Sequence, residues 1–91
     1  MKYRIDPDKV VWRTIDGEDV ILSLDIGHCY GLNKTGSFAW NMFVEKRIPQ
    51  EVSERFFEKF KISSKIAGDD IRSLVTRLEK EALLLKEKEE S

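Results

Sequence analysis

Apolar and polar positions alternate along the first third of the chain and then switch to a helical spacing. Val10-Val11-Trp12-Arg13 is the first β-favouring run, and Asp16-Gly17 behind it is a strong hairpin signal. In the next run, Val20-Ile21-Leu22-Ser23-Leu24, residues Val20, Leu22 and Leu24 share one face, with Ile21 and Ser23 on the other. Asp25-Ile26-Gly27 supplies a second turn, because glycine tolerates the positive φ of a tight reversal. A short strand, His28-Cys29-Tyr30-Gly31-Leu32, follows. Two successive hairpins predict a three-stranded antiparallel meander, preceded by a polar arm over residues 1–9.

Asn33, a favoured N-cap, marks the change of period. Gly36, Ala39, Trp40 and Phe43 recur as the stripe of a helix buried on one side, and Phe38 and Met42 give it a second apolar edge. Lys46-Arg47 breaks that pattern, and Pro49 suits the first position of another helix. Val52, Phe56 and Phe60 form its stripe, with its end near Lys61. Ser63 or Ser64 caps a third helix, whose apolar face carries Ala67, Ile71, Leu74, Val75, Leu78 and Ala82. Gly68 inside it costs about 1 kcal/mol relative to alanine and predicts a ragged first turn. Residues 86–91 read as a frayed charged tail. A three-stranded sheet buries a face only if helices cover it, so the order predicts one α+β domain over residues 1–91. Its inventory is that of a winged helix-turn-helix, with the strands placed first.

The charge balance removes several functions. Sixteen basic residues against seventeen acidic ones leave a net charge of −1, without the surplus that drives phosphate or membrane-surface binding. The single cysteine, Cys29, forms no internal disulfide, which points to a reducing cytoplasm. Cys29 and the lone His28 fall short of a zinc ligand set, and as strand neighbours they point to opposite faces, so they form no catalytic dyad. Cys29 is expected to be a free thiol. No phosphate-binding, dinucleotide-binding or metalloprotease motif occurs. No apolar run approaches the roughly 20 residues of a membrane span. The expectation is a soluble cytoplasmic module with no enzymatic activity, metal or cofactor of its own.

Val20 to Trp40, "VILSLDIGHCYGLNKTGSFAW", is the most particular stretch. It resembles the PqqD-like family, small proteins that recognise precursor peptides of ribosomally made, post-translationally modified natural products. The shared pieces are Leu22-Ser23-Leu24-Asp25, Gly27, Tyr30, and Leu32-Asn33 before Gly36 and Trp40. Ile71, Leu74, Leu78 and Leu83-Leu84 fit the family's last helix, whose aspartate falls on Asp70. Two positions depart from the pattern. The family often has Asp-Gly between its first two helices, where this chain has Glu45-Lys46. It often has a glycine before its last Leu-Leu, and here Ala82 predicts a third helix that runs on into the tail. "DIGHCYGLN" is similar to the broader group that includes stand-alone recognition proteins of lasso-peptide pathways.

The resemblance implies a leader peptide added as an extra strand along the third strand, in the groove between that strand and the third helix. The meander independently leaves its third strand at an edge, and no Lys, Glu or Pro guards His28 to Leu32. The residues alone leave open whether this edge is a docking site or is covered by the N-terminal arm; the resemblance favours the site. Gly27 and Gly31 would then let another backbone approach closely, beside His28, Cys29 and Tyr30. On the third helix, Asp70, Arg77 and Glu81 flank one side of the stripe Ile71, Leu74 and Leu78, while Gly68, Arg72 and Glu79 flank the other. The match at Asp70 favours the first flank.

The expected site therefore comprises Gly27, His28, Cys29, Tyr30, Gly31, Asp70, Ile71, Leu74, Arg77 and Leu78. Its implied partners are the leader of a precursor and a modifying enzyme, such as a radical SAM protein or a leader protease. The chain itself is expected to be a monomer or weak dimer. Two competing functions remain. A winged-helix DNA-binding or regulatory protein fits the inventory, although the second and third helices mix charges and offer no basic face. A small structural partner subunit of an enzyme would use Phe38, Met42 and Phe57 as an exposed apolar patch.

Overall fold

The computed structural model of the chain describes residues 2–87. The order is β1 (Tyr3–Arg4), β2 (Val10–Ile15), β3 (Glu18–Ser23), β4 (Cys29–Gly31), α1 (Lys34–Val44), α2 (Pro49–Phe60), α3 (Ser64–Lys80) and β5 (Leu85–Lys86). Strands β2, β3 and β4 pair antiparallel in sequence order, which is the expected α+β meander followed by three helices. Asp16 and Gly17 both take positive φ, so the first hairpin closes through the turn its Asp-Gly pair favours. Gly27 also has positive φ, at the second turn.

The sheet turns the face of β3 that carries Ile21 and Ser23 inward. Asp19, Ile21 and Ser23 of β3 are buried, whereas Val20 and Leu24 are exposed. With Val11 and Ile15 from β2, they give the outer side of the sheet several exposed apolar side chains. On the inner side Trp12 meets Trp40 edge to face, with ring centroids 5.5 Å apart. Trp40, Phe43, Val52, Phe56, Ala67, Ile71, Val75 and Leu78 continue that core through the helices.

The helix starts follow local chemistry. The Asn33 side chain accepts from the Gly36 N–H at 2.9 Å, and Ser63 accepts from Ile66 at 3.2 Å. Pro49 occupies the first turn of α2, and Glu51 reaches back to the Ile48 N–H. The first turn of α3 is regular despite Gly68, because Ser63 caps it. The expected patch of Phe38, Met42 and Phe57 does not form. Met42 is buried and Phe38 packs edge-on against Phe60 at 5.5 Å, which leaves only Phe57 exposed.

The helix ends carry the departures from the family pattern. Lys46 and Ala82 both adopt left-handed φ, 65° and 58°. Each lies just beyond a helix. The Arg47 N–H bonds to Met42 O and Lys46 N–H to Phe43 O; Leu83 N–H bonds to Leu78 O and Ala82 N–H to Glu79 O. Both ends are therefore Schellman caps, built without the usual glycine. The third helix stops at Lys80 and does not run on. Leu83 and Leu84, both about 1% exposed, fold back into the core. That reversal brings β5 against β1, with Tyr3 opposite Lys86 and Arg4 opposite Leu85. The N-terminal arm is thus tied to the far end of the chain and leaves β4 uncovered. The expected tail loses Lys86 to β5, and residues 88–91 lie outside the described residues.

A non-glycine residue in the left-handed region costs about 1 kcal/mol. Ala82→Gly is expected to stabilise the chain by roughly that amount, less the greater freedom glycine gives the unfolded chain. Urea unfolding monitored by tryptophan fluorescence checks this. An unchanged or lowered midpoint would show that the cap carries no strain.

Candidate functional site

The β3–β4 register decides which backbone groups face outward. Val20 pairs with Gly31, Ile21 with Tyr30 and Leu22 with Cys29. The Leu32 N–H bonds to Asp19 O at 2.9 Å, and the Ser23 N–H bonds to His28 O at 2.9 Å. Antiparallel pairing alternates, so His28, Tyr30 and Leu32 turn their backbone groups toward β3. Cys29 and Gly31 turn theirs toward the open edge. His28 and Tyr30 therefore offer no free edge donor, and the outward groups belong to their neighbours Cys29 and Gly31. Side chains follow the same parity. Cys29 is exposed beside outward-facing Leu22, and a Cβ on Gly31 would meet open space. Gly27 is accounted for by its turn, with its N–H on Ser23 O at 2.7 Å.

Opposite this edge stands α3, which packs on α2 rather than on the sheet. One side-chain bond spans the gap: the Tyr30 hydroxyl donates to Glu81 Oε2 at 2.8 Å. That bond, followed by partial desolvation and the carboxylate charge, holds the Tyr30 phenol pKa above its ordinary value. His28 sits at the same rim, its ring 6.2 Å from that of Tyr30.

Between the start of α1 and α3 opens a cavity of about 260 Å³. Phe56, Ile71 and Leu74 supply its apolar wall, while Asn33, Asp70 and Arg77 bring polar groups to it. Thr35 and Gly36 from the start of α1 and Ser73 from α3 complete the lining. A Cβ on Gly36 would come within 3.3 Å of the Asn33 cap oxygen, so glycine keeps both the cap and the space. Neither Asp70 nor Arg77 forms an ion pair among the described residues, in contrast to Arg72, which pairs with Asp69 at 3.3 Å. Two charges thus stand beside an apolar wall with no ion-pair partner among the described residues.

Four of the ten expected residues, Asp70, Ile71, Leu74 and Arg77, line this cavity. Tyr30 borders the gap through Glu81, and Gly27, His28, Cys29 and Gly31 lie along the edge. Leu78 is 2% exposed and belongs to the core, one helical turn beneath Leu74. The other flank of α3, with Gly68, Arg72 and Glu79, faces a separate groove formed with Pro49, Ser53 and Tyr3. The first flank is the one linked to the meander, through the bond of its Glu81 to Tyr30 of β4. Asn33, Thr35, Gly36, Phe56 and Ser73 were not anticipated. Asn33 and Gly36 carried a visible signal as a helix cap, but nothing local shows that the cap opens onto α3. Among the described residues no group of three or more His, Cys, Asp or Glu is placed to hold a metal, and no helix is long and apolar enough to cross a membrane.

A three-stranded meander with an open edge, a facing helix and an apolar cavity defines a small α+β scaffold suited to extended ligands. The chain belongs to the family of coenzyme PQQ synthesis protein D (PqqD), whose pattern matches residues 18–84. No curated protein matches it in sequence. Among solved structures it is similar to TbiB1 in complex with the TbiA(beta) leader peptide, at 28% identity and a TM-score of 0.86 over 94% of this chain and 99% of that one. It also shares the fold of a lasso peptide synthetase B1 complexed with the leader peptide, at 22% identity and a TM-score of 0.84 over 94% and 100% of the two chains.

Core and cavity wall should separate by stability. Leu78→Ala is expected to cost about 2–5 kcal/mol, and Leu74→Ala, at the cavity, less than half of the Leu78 value. Urea unfolding of both variants measures the difference; equal losses would place Leu74 in the core.

Proposed function

We propose that this chain binds the leader region of a ribosomally made precursor peptide and presents it to a modifying enzyme or leader protease, without catalysing a reaction itself. The leader adds as a strand along β4, bonding to the outward backbone groups of Cys29 and Gly31. One leader side chain, apolar and adjacent to the strand, enters the cavity against Phe56, Ile71 and Leu74. Arg77 and Asp70 read polar or charged leader groups at the rim. Backbone bonds supply affinity with little sequence information, and the cavity supplies the selection. The observation that carries this reading is the uncovered β4 edge beside a cavity with two uncommitted charges. The leader-peptide complexes of TbiB1 and the lasso synthetase B1 support it.

A displayed library of random linear peptides, panned on the protein and followed by titration of the enriched sequences, tests the proposal. Bound peptide is expected to protect the Cys29 and Gly31 amides from hydrogen exchange and to leave the Asp16-Gly17 hairpin unchanged. Cys29→Pro deletes one edge donor and should cut affinity by about tenfold or more with little loss of stability. Tyr30→Pro removes a bond to β3 and should damage the fold instead. Arg77→Glu and Asp70→Lys should each weaken binding while the protein stays folded. No enriched peptide, protection elsewhere, or tighter binding of duplex DNA at low salt would overturn the reading.

A further inference from the structure

Asp19 is the one charged side chain among the described residues with no solvent exposure. Its carboxylate accepts from the Thr14 hydroxyl on Oδ1 and from Asn41 Nδ2, at 2.7 Å, on Oδ2. Neither donor is charged, and no ion pair includes Asp19 among the described residues. Burying a carboxylate costs several kcal/mol unless hydrogen bonds replace water, and an apolar pair often holds a sheet to a helix equally well. Cohesion alone therefore does not explain this choice.

The carboxylate itself ties β3 to Thr14 and to Asn41 of α1, and so holds the Asp19 backbone where its N–H and C=O reach the junction. The Asp19 N–H donates to Ser37 Oγ at 2.7 Å, and Asp19 O accepts from the Leu32 N–H. The Ser37 hydroxyl in turn donates to Leu32 O at 3.3 Å. Asn41 Nδ2 also donates to Ser37 O at 2.8 Å, which closes the network on α1. Leu32 is thereby held at both its N–H and its C=O. It is the residue between the open edge, Cys29–Gly31, and the cavity side formed by Asn33, Thr35 and Gly36.

An extended ligand advances about 3.3 Å per residue, and a slip of one residue turns every side chain to the opposite face. Backbone bonds along β4 do not choose the register by themselves. The cavity chooses it only if its distance from the edge is fixed. We infer that Asp19 is a positioning residue for the peptide site: it locks the Leu32 junction so that edge and cavity act as one preorganised receptor, without touching the ligand. This inference rests on the peptide-binding reading above.

The test compares Asp19→Ala and Asp19→Asn with Val52→Ala, a core change in α2 away from the junction. Affinity is measured with a fluorescein-labelled peptide enriched from the library, at a temperature where circular dichroism shows each variant folded. Amide exchange at residues 32–37 is followed without peptide. Asp19→Ala is expected to lose roughly tenfold or more in affinity and to exchange faster at Leu32 and Ser37. Asp19→Asn, which keeps one acceptor oxygen, should fall between it and the wild type. Val52→Ala should lose stability while keeping its affinity. If Asp19→Ala does not fold, Asp19→Asn and Ser37→Ala carry the comparison. Affinity of the folded Asp19 variants within about twofold of wild type, or an equal loss in Val52→Ala, overturns the inference. A wild-type chain that binds no peptide sinks the reading of the groove instead. Exchange at Leu32 then still decides whether Asp19 holds the junction, and unchanged rates there overturn the positioning role.

Discussion

One buried side chain sets the parity of the whole sheet. Successive residues of a strand face opposite sides without exception, so anchoring Asp19 beneath α1 also sends Ile21 and Ser23 inward. Val20 and Leu24 are left facing out, although that face is richer in apolar residues. Pairing carries the same parity to β4, where Tyr30 points toward the helices and Cys29 away from them. The alternation of edge hydrogen bonds follows from the same register. Which backbone groups β4 turns toward its open edge is therefore linked to where one carboxylate is buried.

The ends of α1 and α3 form left-handed caps without glycine. Lys46 and Ala82, at the two positions where the family resemblance implied glycine, both adopt the left-handed turn. The carbonyls at the ends of α1 and α3 require the returning N–H groups, and Leu83 and Leu84 require burial. Those demands outweigh about 1 kcal/mol of local strain at each site. Had α3 continued instead, β5 would not reach β1, and the N-terminal arm would lose the partner that keeps it away from the open edge.

In the proposed reading, the site divides its labour between backbone and side chains. An edge strand binds almost any extended chain, so selectivity has to come from shape and charge nearby. There the cavity against Phe56, Ile71 and Leu74 would supply shape, and Asp70 and Arg77, which form no ion pair among the described residues, would supply charge. The Tyr30–Glu81 bond ties the far end of α3 to β4 and limits how widely the gap can open. Membership of the PqqD family and likeness to leader-peptide complexes favour this reading, which the residues alone leave open.

Periodicity, caps and turn residues made most of the fold legible from the chain alone. Asp16-Gly17, Asn33, Pro49 and Ser63 each act through neighbours a few residues away, so local chemistry determines them. The same is true of the stripes Val52–Phe56 and Ile71–Leu78, whose spacing survives any arrangement of the helices. The sequence also placed Asp70 and Arg77 on one flank of α3, because a helix permits only one angular order. It did not reveal which face of β3 is buried, because both faces are partly apolar and only contact with Ser37 and Asn41 decides between them. Nor did it show that Asn33, Gly36 and Phe56 meet α3 around one cavity. Those contacts join residues far apart in the chain, and only the packed tertiary structure brings them together.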